Sequence, residues 1–210
     1  GFVQKTEVKS LEDIAEDYIM DLIGRSLVMV DKQKSIGGVK TCRIHDLLHE
    51  FCLRKAKEEN FLQLRRGYAG LSNFDEPSNT RRLSIYSKAK HFQKSRLFCP
   101  LLSSLLVSSQ SENYAIPYNF SFILRMFKLL RVLDLGKLNL GFVFPGEISL
   151  LVQLRYFAFG GSMTSIPSSI ANLWNLETLV LKLSHGSLFL PDTIWNMRTL
   201  RYLHGSGSFL

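Results

Sequence analysis

One hydrophobic pattern returns through the second half of this chain and leaves few folds open to it. Leu130-Arg131-Val132-Leu133-Asp134-Leu135 recurs as Leu154-Arg155-Tyr156-Phe157-Ala158-Phe159, as Leu176-Glu177-Thr178-Leu179-Val180-Leu181 and as Leu200-Arg201-Tyr202-Leu203. The blocks begin 24, 22 and 24 positions apart, inside the roughly 20–29-residue period of leucine-rich repeats. Each L-x-x-L-x-L block predicts a short strand whose alternate side chains share one face. A single repeat cannot bury that face alone, so the repeats must stack into a solenoid.

A second motif runs in phase with the first. Phe144-Pro145-Gly146-Glu147-Ile148 is followed by Ile166-Pro167-Ser168-Ser169-Ile170 and Leu190-Pro191-Asp192-Thr193-Ile194, with the prolines 22 and 24 positions apart. A proline fixes φ and has no N–H to donate, so it suits the side where the chain leaves the sheet for a turn. Earlier blocks at Thr80–Ile85 and Leu102–Val107 extend the series to six repeats over residues 80–210. Ser108 to Asn119 reads as a longer variable loop. The last repeat is unfinished and has no polar cap, so the chain reads as part of a longer polypeptide.

The first third follows another logic. Ser10 is placed to cap a helix, with Glu12, Asp13, Glu16 and Asp17 near its positive end. Leu11, Ile14, Ala15, Tyr18, Ile19 and Leu22 recur at intervals of three and four, which predicts one apolar face, and Gly24 reads as the stop. Leu27–Val30 and Val39–Ile44 read as two strands around an exposed tip at Asp31–Gly38. His45 to about Lys57 predicts a second helix with Leu48, Phe51 and Cys52 inward. Helix, two-stranded wing and helix form the C-terminal part of a winged-helix unit, and Leu62 and Leu64 after it read as a short strand. The fold class is thus α/β: a partial winged helix at 1–66, a linker at 67–79 and a solenoid with a curved parallel sheet at 80–210.

Composition narrows the function. The 210 residues are 46% hydrophobic and 21% charged, which fits a folded chain rather than a disordered one. No apolar run approaches the roughly 18 residues that span a bilayer, and no secretory signal is apparent. Cys42, Cys52 and Cys99 are too few and scattered for a disulfide scaffold and fit free thiols in a reducing, cytoplasmic setting. The net charge is +8, concentrated around Arg81, Arg82, Lys88, Lys90, Lys94 and Arg96. Such a patch attracts nucleic acid or acidic protein surface, or is simply solvated. No nucleophile elbow, paired-carboxylate constellation or phosphate-binding G-x-x-x-x-G-K-[ST] loop occurs, so no catalytic residue is assigned.

Cys42-Arg43-Ile44-His45-Asp46-Leu47-Leu48, with Ile14–Tyr18, Leu22–Leu27 and Glu58-Glu59-Asn60-Phe61, resembles the winged-helix end of plant nucleotide-binding leucine-rich-repeat immune receptors. The resemblance is closest to the coiled-coil class that includes late-blight resistance homologues, and it covers essentially the whole chain. The family carries Met-His-Asp where this chain has Ile44, His45 and Asp46. The resemblance implies that His45 faces the β-phosphate of ADP in a closed state, and that Asp46 caps the helix or orders nearby backbone. It further implies an upstream nucleotide-binding domain in cis, ADP or ATP in the full-length parent but not in these residues alone, and a pathogen effector or guarded host protein as partner. A peripheral membrane or nuclear location of the parent is also open.

Other readings of the same residues remain. His45 can simply pack at a strand–helix junction while Asp46 caps. Cys42, His45, His49 and Cys52 place four metal-ligand types within eleven residues, although not at zinc-finger spacing. A DNA-binding winged helix is a second function class; the near-neutral charge of residues 1–66 speaks against specific nucleic-acid binding. A generic repeat scaffold is a third. On the repeats, the positions between the leucines are expected to line a concave binding face: Arg131, Val132, Asp134, Arg155, Tyr156, Ala158, Glu177, Thr178, Val180, Arg201 and Tyr202. Tyr156 and Tyr202 beside Arg155 and Arg201 are the strongest of these, because tyrosine and arginine are enriched at binding hot spots.

Overall fold

A computed structural model describes residues 9–35, 38–67, 79–87, 99–109, 124, 126–139, 141–142 and 144–209. The chain forms two compact units, Gly1–Glu59 and Asn60–Leu210.

In the first unit, α1 (Leu11–Gly24) begins at a reciprocal capping box. Asp13 N–H donates to Ser10 Oγ at 3.1 Å, and Ser10 N–H donates to Asp13 Oδ2 at 3.1 Å. The helix ends at Gly24 as expected, while the left-handed residue lies two positions on, at Ser26 with φ 58°. Ser26 N–H donates to Ile23 O and Leu27 N–H to Leu22 O, which satisfies the last carbonyls in a Schellman arrangement. Strands β1 (Val28–Gln33) and β2 (Val39–Ile44) then pair antiparallel, from Val28 opposite Ile44. A bulge between Val30 and Lys32 interrupts the pairing, and Thr41 Oγ1 donates to Asp31 Oδ2 at 3.0 Å beside it. Helix α2 (Asp46–Glu58) follows directly.

This unit buries little. Among its described residues only Ile14 is a buried apolar side chain. Tyr18, Ile19 and Leu22 of the expected α1 face are exposed, and so are Phe51 and Cys52, which were expected inside. Their periodicity is amphipathic, but no described element of the unit covers those faces.

The second unit is the predicted solenoid. Seven strands form one sheet in chain order: β3 (Gln63–Arg66), β4 (Arg82–Tyr86), β5 (Ser104–Ser108), β6 (Val132–Asn139), β7 (Tyr156–Gly161), β8 (Thr178–Leu188) and β9 (Tyr202–Phe209). Every pairing is parallel. Six of the strands coincide with the six repeat blocks. The seventh, β3, lies in the interval assigned to the winged helix, so the repeat sheet begins before residue 66. The short strand read at Leu62 and Leu64 is this one, but its Gln63 and Arg65 are in register with the buried Leu83 and Ile85, which departs from the leucine pattern and hides its membership of the repeat sheet.

Register places like residues in line. Leu83, Leu105, Leu133, Phe157 and Leu179 stack across successive strands and are fully buried. On the opposite side three 3-10 segments, Gly146–Leu150, Ser168–Asn172 and Asp192–Asn196, each follow a proline, at Pro145, Pro167 and Pro191. Their Ile148, Ile170 and Ile194 close the core from that side. The longest packed contacts are aromatic: Phe157 stacks on Phe159 at 5.1 Å, and Phe144 meets both edge-on at 6.3 and 5.3 Å. Side chains also stitch one repeat to the next. Asn175 Nδ2 donates to Val152 O at 2.8 Å, and Thr199 Oγ1 lies 2.6 Å from Trp174 O.

The predicted loop at 108–119 and the basic residues Lys88, Lys90, Lys94 and Arg96 fall outside the described residues, apart from Ser108 and Ser109 at the start of that loop.

Candidate functional site

The junction of β2 and α2 turns on one residue. His45 adopts an extended backbone (φ −61°, ψ 142°), and its side chain accepts from Leu47 N–H, so His45 itself is the N-cap. This corrects the expectation that Asp46 caps: Asp46 is the first helical residue, and Nδ1 of the imidazole does what a shorter carboxylate or hydroxyl usually does. The Nδ1···N distance is 3.3 Å. With Nδ1 accepting, Nε2 is the ring nitrogen left to donate. That donor stands at the positive end of a thirteen-residue helix.

The junction is open to solvent. His45 and Asp46 are exposed, and the apolar residues around them are uncovered: Ile44 at 43%, Leu47 at 74% and Phe51 at 46%. Leu47 carries no signal in its own residue type, and only its place one turn from Phe51 marks it. The metal reading finds no geometry behind it, because the described residues bring no three of His, Cys, Asp or Glu together as a metal-binding group.

The second set of candidates lies on the parallel sheet. Tyr156 follows Val132 and precedes Thr178 and Tyr202 in one line across β6 to β9. Asp134, Ala158, Val180 and His204 form the next line. Ala158 was expected to be solvent-facing and is buried, with 1% of its surface exposed; its single methyl lies below the level of the longer side chains beside it. Arg155 Nη1 pairs with Glu177 Oε1 at 3.3 Å. Burial and the nearby Asp134 carboxylate push the Tyr156 phenol above its ordinary pKa.

The sequence reading missed Lys182. Its ammonium reaches two strands back, to within 3.3 Å of where a Cβ on Gly136 would lie, the same distance as Asp134 Oδ1. The signal was available as a cation one place beyond Leu181, but only the three-dimensional register shows what it approaches.

A winged-helix end whose histidine caps its last helix, joined in sequence to a leucine-rich-repeat sheet, defines a class of protein before any relative is considered. Residues 1–52 match the family described as disease resistance protein winged helix domain. Across 97% of its length the chain is 41% identical to the late blight resistance protein homologue R1B-14 of Solanum demissum, and 40% identical to homologue R1B-16 of the same plant. It is 37% identical to the late blight resistance protein R1-A, again over 97% of its length. The chain belongs to the plant disease-resistance proteins, in the late-blight-resistance group. It spans only 16–17% of the length of these relatives.

Proposed function

We propose that this chain is the junction of a plant immune receptor, in which the winged-helix end reads ADP or ATP state and the repeats hold the receptor off until a partner is recognised. The observation that carries the first half is the hydrogen bond from Leu47 N–H to His45 Nδ1. Capping through Nδ1 leaves Nε2–H to donate to a phosphate oxygen, at a helix end that favours anions. Asp46 sits at the first helical position and adds negative charge there, so the phosphate is met by the imidazole and not by the helix end alone.

The residues present fit a single phosphate contact and no more. No glycine-rich phosphate loop occurs in the 210 residues, so the cradle and magnesium ligands belong to an upstream domain in cis. The uncovered apolar residues Ile44, Leu47 and Phe51 give that domain a surface to close on. The described residues include no helix long and apolar enough to cross a membrane, and we place the receptor in the cytoplasm. For the second half, the strand-face residues Arg131, Asp134, Arg155, Tyr156, Glu177, Arg201 and Tyr202 are the surface on which an effector or guarded host protein is recognised.

The test uses the full-length receptor and its rate of fluorescent ADP release. His45→Ala removes both the cap and the donor, and should speed release by about tenfold or more, since a hydrogen bond to a charged group is worth roughly 1.5–3 kcal/mol. His45→Asn keeps a capping acceptor and a donor and should fall between. Release unchanged in His45→Ala would remove the nucleotide-sensing role.

A further inference from the structure

The solvent side of the repeat sheet carries a one-sided charge. The residue just ahead of each strand stacks on its counterpart in the neighbouring repeat. Ser103 N–H donates to Arg81 O, Arg131 to Ser103, Arg155 to Arg131 and Glu177 to Arg155, each at 2.8 Å, and Arg201 donates to Glu177 at 2.9 Å. The row therefore reads Arg81, Ser103, Arg131, Arg155, Glu177, Arg201: four guanidiniums and one carboxylate at steps of about 4.8 Å. Arg82, Lys137 and Lys182 add cations on the strands themselves, where Asp134 is the one carboxylate of β4 to β9. On the turn side the described charges balance, Lys128 and Arg198 against Glu147 and Asp192.

Like charges held opposite one another on neighbouring strands repel. Arg131 and Arg155 are such neighbours, and Glu177 pairs with Arg155. A ligand bearing carboxylates relieves that repulsion, and guanidinium forks match carboxylates bidentately.

Two features separate a protein from a nucleic acid as the occupant. Asp134 and Glu177 stand within the basic field, where they repel an unbroken phosphate backbone but accept the occasional cation of a mixed-charge peptide. Beside them, Tyr156, Tyr202, Val132 and Val180 offer the apolar and aromatic area typical of protein interfaces. We infer that the strand face docks an acidic polypeptide segment of another protein, with its carboxylates on Arg131, Arg155 and Arg201 and an apolar side chain beside Tyr156 and Tyr202. This rests on the reading that the repeats recognise a partner, and it states that partner's chemistry.

The full chain is titrated with three fluorescent probes: a short peptide of alternating Glu and Leu, its twin with Gln for Glu, and a single-stranded DNA of matched charge. The Glu peptide should bind, weaken with salt, and bind at least about tenfold more tightly than the Gln twin. Arg131→Glu/Arg155→Glu/Arg201→Glu should abolish that binding, and the Arg→Gln triple variant should weaken it, with both variants keeping the wild-type melting curve. Equal binding of the Gln twin, tighter binding of the DNA, or indifference to the triple variants overturns the inference. A protein partner that is lost on Tyr156→Ala/Tyr202→Ala but retained on arginine reversal would sink the acidic assignment while leaving recognition by the repeats intact.

Discussion

The two units use similar apolar residues and put them to opposite ends. In the repeats, apolar side chains at every strand fall into register with those of the next strand, and one cluster runs unbroken from Leu83 to Met197. In the first unit the apolar residues of α1, β1 and α2 are as regularly spaced, yet Ile14 alone among the described ones is buried. Periodicity states which face of an element is apolar. Whether that face is covered depends on a neighbour, and repetition supplies the neighbour in the solenoid. Among the described residues of the first unit only Ile14 is so covered, and the other apolar residues of its helices stay at least partly open.

The sharpest way to break this comparison is to truncate one aromatic residue in each unit. Phe157→Ala removes a fully buried ring that touches Phe144 and Phe159, and should cost about 3–5 kcal/mol in chemical denaturation. Phe51→Ala takes a ring that is 46% exposed and should shift the stability of this chain by less than about 0.5 kcal/mol. In the full-length protein the same Phe51→Ala should become destabilising if, as proposed, an upstream domain closes on the ring. Equal costs for the two substitutions in this chain would show that the first unit has a core of its own.

A smaller effect is expected where the solenoid departs from regularity. Between β6 and β7 the register jumps from Leu135 opposite Phe159 to Asn139 opposite Gly160. Gly136, Lys137 and Leu138 bulge out, and Leu138 O comes within 2.8 Å of the place where a Cβ on Gly160 would sit. The obstacle is backbone, which cannot swing aside. Gly160→Ala should therefore cost about 1–3 kcal/mol. Gly146→Ala, with nothing within 4 Å of its added Cβ, serves as the control and should be near neutral.

The first unit has its own local irregularity at Ser26, a non-glycine residue in left-handed backbone. Ser26→Gly relieves a cost of about 1 kcal/mol while keeping both terminal bonds of the Schellman turn. It should raise the thermal stability of α1, read by helical circular dichroism, and leave the repeats unchanged. A uniform shift of both units would mean that they melt together.

Much of this architecture was legible because repetition multiplies weak signals. Each L-x-x-L-x-L block is ambiguous alone, but six in phase with three prolines specify strands, turns and the core row at once. Leu62 and Leu64 marked a short strand at β3, but its place in the repeat sheet escaped because Gln63 and Arg65 stand where leucines were the signal. The capping role of His45 escaped because helix starts are read from Ser, Thr, Asp and Asn, and Asp46 offered the familiar choice one residue late. The charged row ahead of the strands was visible residue by residue in Arg131, Arg155 and Arg201. Its continuity to Arg81 needed the backbone bonds that stack one repeat on the next. Burial of the first unit's faces could not be read at all, since the pattern of a helix does not say what lies against it.

The smallest predicted effect probes where packing gives way to chemistry. Tyr156 stands at the edge between core and solvent, and its ionisation is disfavoured first by burial and then by the Asp134 carboxylate. Its phenol therefore holds a proton in the folded chain at pH values where the unfolded chain has lost it. The sign follows directly: this residue costs the fold nothing below the ordinary tyrosine pKa of about 10, and stability falls as pH rises from there toward the raised value. In a titration of phenolate absorbance, Tyr156 should ionise above the ordinary tyrosine range. Asp134→Asn should move it back part of the way, because the charge is the second cause and burial remains. The junction at His45 in the other unit is exposed. If Tyr156 ionised at the ordinary tyrosine pKa in the folded chain, the strand face would be as open as that junction, and the contrast between a buried-edge surface and a bare one would fail.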